Sequence, residues 1–128
     1  MAIATIIGQQ PTTENYVASG VIASGASLSD TFKPGGRTFI KIEVPEITSA
    51  TLSFQVQSYY DGAFQDLYDD AGNEVTVGSA FTAARTFLAP SLSTYYAFKI
   101  RSGTTGTPVN QGAERTFVVV ATRGSRIA

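Results

Sequence analysis

The chain is 128 residues long, carries a net charge of −1 and contains no histidine, cysteine or tryptophan. Such a length suits one domain of about 100–150 residues, and the near-neutral balance gives no global pull toward nucleic acid or anionic membrane. Without imidazole or thiol, Ser-His-Asp and Cys-His nucleophilic sites, zinc sites built on His or thiolate, and a disulfide framework are all excluded.

Charged residues make up 15% of the chain, against about 25% in an average globular domain. A surface rich in Thr, Ser, Gly and Ala is cheap to desolvate against a partner. A domain of this size buries roughly two thirds of its unfolded surface and needs no metal or disulfide to fold. No segment approaches the roughly 20 apolar residues of a membrane span. Residues 1–10 lack a basic n-region and do not read as a signal peptide. The absence of cysteine favours assembly in a reducing cytoplasm.

In chain order, residues 1–15 read as an N-terminal arm. Ile3, Ile6 and Ile7 are its apolar side chains, and the stretch from Gly8 to Asn15 has no periodicity and contains Pro11. The arm either frays, as most termini do, or orders on a neighbouring subunit through its three isoleucines. A β-sandwich domain is expected over residues 16–122 and a polar, basic C-terminal tail over residues 123–128.

Helical periodicity is hard to find in the domain. Residues 16–23 and 27–32 are weaker strands, and Lys33-Pro34-Gly35-Gly36 is a turn. Residues 37–44 alternate, with Thr38, Ile40, Ile42 and Val44 on one face, before Pro45 blocks continuation as a central strand. Residues 51–58 alternate more cleanly: Leu52, Phe54 and Val56 point one way, Thr51, Ser53, Gln55 and Gln57 the other. Asp61-Gly62 turns the chain toward a short strand at 64–68, and Asp69-Asp70-Ala71-Gly72-Asn73 turns it again toward 73–77. Another weak strand covers 82–88. Over 95–101, Tyr96, Phe98 and Ile100 face inward while Tyr95, Ala97, Lys99 and Arg101 face outward. Residues 117–120 (FVVV) are apolar without alternation. They form either a central strand with both faces covered or a strand whose outer face meets a partner.

About eight strands at this spacing predict an all-β fold, a two-sheet antiparallel sandwich of jelly-roll or related Greek-key type.

The remaining chemistry is thin. A glycosidase needs two carboxylates flanking a sugar, and Asp61 with Asp66, or Asp69 with Glu74, are the available pairs. Each lies in or beside a turn, where Asp is expected for local hydrogen bonding. Asp61, Asp66, Asp69, Asp70, Asn73 and Glu74 also offer hard oxygens to calcium, but their spacing fails the EF-hand loop; solvated turn acids are the plainer reading. The 103–107 stretch, GTTGT, is Gly-rich but precedes no helix that would make it a phosphate cradle, and it reads as a flexible loop. The basic residues are scattered and do not interleave with aromatics. Tyr59 and Tyr60 flank the Asp61-Gly62 turn, with Phe64 and Tyr68 nearby. The rings either stack a sugar or divide between core and turn. No catalytic residue, metal or cofactor is expected.

Residues 47–77, ITSATLSFQVQSYYDGAFQDLYDDAGNEVTV, resemble a pattern common in small tailed-phage virion proteins: an alternating strand, a DG turn, an FQDLYD-like strand and an AGNEVTV hairpin arm. Residues 96–110, YAFKIRSGTTGTPVN, and the closing strand 115–121 are similar to the C-terminal part of the same group. The resemblance implies a non-catalytic capsid decoration, or cement, protein. Such a protein would be a homotrimer clamping neighbouring subunits of the major capsid protein on the virion surface, after assembly in the host cytoplasm. A tail, adaptor or head-fibre component is a close variant, and a carbohydrate-binding module is the alternative of a different class. On this reading Ile3, Ile6 and Ile7 anchor the arm, and Tyr59 and Tyr60 form an exposed-loop contact.

Overall fold

A computed structural model of the protein describes residues 4–6 and 15–123. Nine strands form among them: β1 (Thr5–Ile6), β2 (Asn15–Ile22), β3 (Phe39–Val44), β4 (Ala50–Gln57), β5 (Phe64–Asp66), β6 (Val77–Phe81), β7 (Arg85–Leu88), β8 (Ala97–Ser102) and β9 (Arg115–Thr122). Helical structure among the described residues is a single 3₁₀ turn, Pro90–Leu92, and no helix is long and apolar enough to cross a membrane.

The strands make two antiparallel sheets. One has the order β1-β2-β9-β3-β7. In the other, β4 pairs with β8 from Leu52 to Gln57, with β5 at residues 55–57 and with β6 at residues 50–52. Because a strand has two edges, β5 and β6 must share the edge of β4 opposite β8. The far edge of β8 is covered by residues 28–32 through bridges from Leu28 to Arg101 and from Phe32 to Phe98. From β2 onward, counting residues 28–32, the chain alternates between sheets, except that β5 and β6 follow β4 in the same sheet. The spatial orders β2-β9-β3-β7 and (28–32)-β8-β4-β6 are those of a jelly roll.

Period-two alternation builds the interior. Ile40, Ile42 and Val44 are buried on β3 and Leu52, Phe54 and Val56 on β4. The other sides of the barrel of contacts come from Phe98 and Ile100 on β8 and from Phe117, Val119 and Ala121 on β9. Phe98 stacks on Phe32 at 5.5 Å and meets Phe54 edge-on at 6.4 Å. It thereby ties β4, β8 and the edge segment 28–32 together through their side chains.

The turns follow their expected chemistry. Gly35 and Gly36 both have positive φ after Pro34, and Asp61 itself takes the left-handed conformation at φ 66°, which Asp tolerates better than most residues. Asp69 Oδ1 accepts the Ala71 and Asn73 amides at 2.9 Å each, an Asx turn that closes the 69–73 reversal.

Several features differ from the expected pattern: residues 27–32 make only isolated bridges, Thr38 is exposed and Tyr95 packs against the core. The strand after the 69–73 turn starts later than expected: Glu74 makes an isolated bridge to Tyr68, and regular pairing begins at Val77. Arg101, expected on the solvent side of β8, is 6% exposed, and Ala97 is fully covered, because loops fold over the outer face of that sheet. Tyr96 precedes β8 rather than belonging to it, and its ring is partly in solvent. The apolar run falls on β9, the central strand between β2 and β3. Its inner residues are buried, and Val118 and Val120 on the other face are half-buried.

Phe98→Ala removes a fully buried ring from the middle of this stack. It is expected to destabilise the fold by about 3–5 kcal/mol, read as a lowered denaturant midpoint at an unchanged slope.

Candidate functional site: an exposed aromatic end

Three connections meet at one end of the sandwich: residues 33–38 ahead of β3, the 58–63 turn between β4 and β5, and the residues leading into β8. Their convergence is dictated by pairing. The start of β8 lies beside the end of β4, with the Tyr96 amide donating to the Gln57 carbonyl at 2.9 Å. Phe98 exchanges backbone hydrogen bonds with Phe32, immediately before Lys33, at 2.8 and 2.9 Å.

The end carries three tyrosines in water. Tyr59 is 68% exposed, Tyr60 76% and Tyr96 36%. Tyr60 packs edge-to-face on Tyr96 at 5.9 Å and 80°, and the Lys33 ammonium sits 5.5 Å from the centre of the Tyr96 ring. The Tyr59 ring lies over Gly62, where a Cβ would come within 3.0 Å of it.

The scaffold beneath is held by side-chain bonds. Gln57 Nε2 donates to the Gly62 carbonyl at 2.7 Å, the Gly62 amide donates to the Tyr59 carbonyl at 3.0 Å, and the Lys33 amide donates to the Tyr16 hydroxyl at 2.9 Å. Burial raises the Tyr16 phenol above its ordinary pKa, partly offset by that amide and by the nearby Arg37. The platform is therefore pre-organised, which lowers the entropy lost when a partner orders it.

The acidic residues do different work. On the outer face of the four-stranded sheet, the Arg101 guanidinium forms an ion pair with Asp66 and another with Glu74 at 3.2 Å. It also reaches Ser53 at 3.2 Å and Thr105 Oγ1 at 2.9 Å. Glu74 in turn accepts the Thr105 hydroxyl at 2.7 Å and its amide at 3.1 Å. One buried cation thus gathers β4, β5, β8 and the two loops that cover them. The 103–107 loop, expected to be flexible, is pinned by these bonds. It is also tight: Gly103 has φ +94°, and a Cβ there would meet the Thr107 carbonyl oxygen at 2.4 Å.

Hydrogen bonding to Arg101 holds the Asp66 carboxyl below the usual carboxylate range, so it stays ionised and is unsuited to donate a proton as a general acid. Asp69 is committed to its turn. Among the described residues no three acidic side chains assemble as a metal-ligand set.

Of the residues singled out from the sequence, Tyr59 and Tyr60 fall together on this end. Ile3 and Ile7 lie outside the described residues. Ile6 is in β1, whose backbone pairs with Ala18 of the chain's own β2, and the preceding Ala4 is buried and donates to the Thr31 carbonyl at 2.8 Å. Tyr96 and Lys33 were missed as site residues because the sequence places them far from Tyr60. The alternation assigned to 95–101 also pointed Tyr96 inward.

No protein-family model matches the chain, and no curated protein matches it.

Asp66 sets an expectation for acid. A carboxyl whose pKa is lowered on folding contributes stability that is full above the unfolded value near ~3.9 and lost as pH falls through the folded value. Asp66→Asn is expected to lower the denaturant midpoint at neutral pH, with the gap to the parent narrowing below about pH 4. A gap independent of pH would show that the carboxylate's charge is not what stabilises.

Proposed function

We propose that the protein is a non-catalytic structural component of a virion, a capsid decoration protein that clamps neighbouring subunits of the major capsid protein. The observation that carries the reading is the rigid platform of Tyr59, Tyr60 and Tyr96 beside Lys33. Tyrosine is favoured at the centres of protein interfaces because a large ring buries much area for little conformational entropy while its hydroxyl finds a polar partner. The resemblance of residues 47–77 to small tailed-phage virion proteins supports the same reading, since that stretch contains the turn on which two of the three rings sit.

The mechanism is mechanical. A clamp that binds the assembled lattice and not the free subunits stabilises the lattice by mass action. The platform supplies an anchor, and the homotrimer implied by the resemblance would multiply single contacts by avidity. The three rings also favour a second reading, a carbohydrate-binding module, because exposed aromatic faces stack on sugars.

The test compares binding to assembled, undecorated phage shells with binding to unassembled capsid subunits, by co-sedimentation. Binding to shells alone is expected. Tyr60→Ala is expected to weaken it about 10- to 100-fold, the loss typical of a hot-spot aromatic, with an unchanged melting temperature because the ring is exposed. Equal binding to free subunits would overturn the clamp. Binding on a glycan array, lost in Tyr60→Ala, would favour the sugar-binding reading.

A further inference from the structure

The outer face of the five-stranded sheet is a second surface, apart from the aromatic end. Its pairing register places Val17, Val120, Lys41 and Leu88 in one row across β2, β9, β3 and β7, and Ser19, Val118, Glu43 and Thr86 in the next. Leu88 is 72% exposed. Lys41 and Glu43 are the two charged residues at outward positions of these strands among the described residues. Both are exposed, and among the described residues neither has an ion-pair partner.

We propose that this face binds a second copy of the chain about a two-fold axis. The axis lies in the contact plane, perpendicular to β3 at the level of Ile42. Such an axis exchanges the two rows. Lys41 of each copy then faces Glu43 of the other, twice over, while Val120 faces Val118 and Leu88 faces Thr86. An axis parallel to the strands and lying over β3 would instead set Lys41 against Lys41. The charge pattern therefore selects both the occupant and the geometry: a lone cation and a lone anion two residues apart complement their own two-fold image.

Four strands at about 4.8 Å and six residues at about 3.4 Å cover roughly 400 Å². Two copies bury roughly 800 Å² or somewhat more, the range of weak, reversible contacts. The pairing is thus concentration-dependent. It goes beyond the capsid reading and does not rest on it. A two-fold contact cannot close a ring of three, so it yields dimers, or pairs of trimers where a threefold contact also forms.

The experiment is sedimentation velocity over a concentration series on the full chain. The parent is expected to reach an even multiple of the chain mass, with pairing weakened by added salt. Lys41→Glu and Glu43→Lys each turn both cross-contacts into like-charge pairs and should weaken pairing at least 10-fold, halving the mass at a fixed concentration. The double exchange restores complementarity and should return the affinity to within about threefold of the parent; that recovery cannot come from a folding defect. A parent that stays at one chain or at three chains throughout would overturn the proposal. So would single exchanges without effect, or a double exchange that fails to recover.

Discussion

Everything in this molecule rests on the interleaving of large apolar side chains from two sheets, set by the two-residue period of the strands. Ile40 and Ile42 on β3, Phe54 on β4, Phe98 on β8 and Phe117 and Val119 on β9 are essentially removed from water. Burying each is worth about 1.5–3 kcal/mol. A shift of one residue in any of these strands would expose the whole set and bury its polar neighbours, so the register is strongly specified. Fixed registers then fix where each strand begins and ends, and so which loops share an end of the sandwich.

The aromatic platform follows from that geometry. Tyr60 and Tyr96 are far apart in sequence and 5.9 Å apart in space because β4 ends where β8 begins. The rings can stay exposed because the core does not need them: Phe32, Phe54 and Phe98 already fill the space below. The loops bearing them are tied to the sheet by Gln57 and by the Tyr16 hydroxyl. A surface of this kind offers affinity and shape to a partner.

Arg101 solves a different problem. The outer face of the four-stranded sheet is polar, and two long connections cross it. A buried guanidinium is costly unless its donors are satisfied, and here Asp66, Glu74, Ser53 and Thr105 satisfy them. The same bonds hold the connections down. Of the acids that resemble a catalytic or calcium-binding cluster in the sequence, Asp66 and Glu74 join this ion network and Asp69 closes an Asx turn.

The sequence by itself determined the class of fold. Alternation in residues 37–44 and 51–58 identified the inward faces of β3 and β4, because burial on one face of a strand imposes a period of two on the chain. The turns at Gly35-Gly36, Asp61-Gly62 and 69–73 were legible because positive φ and Asx bonding demand particular residues. Tertiary structure alone decided the jelly-roll order, the late start of β6 and the pairing of β1 with the chain's own β2. It also decided the burial of Arg101 and the meeting of Tyr60 with Tyr96 and Lys33. These depend on which strands lie side by side and which loops fold over them. Such long-range choices are made by the packed whole, and local periodicity does not encode them.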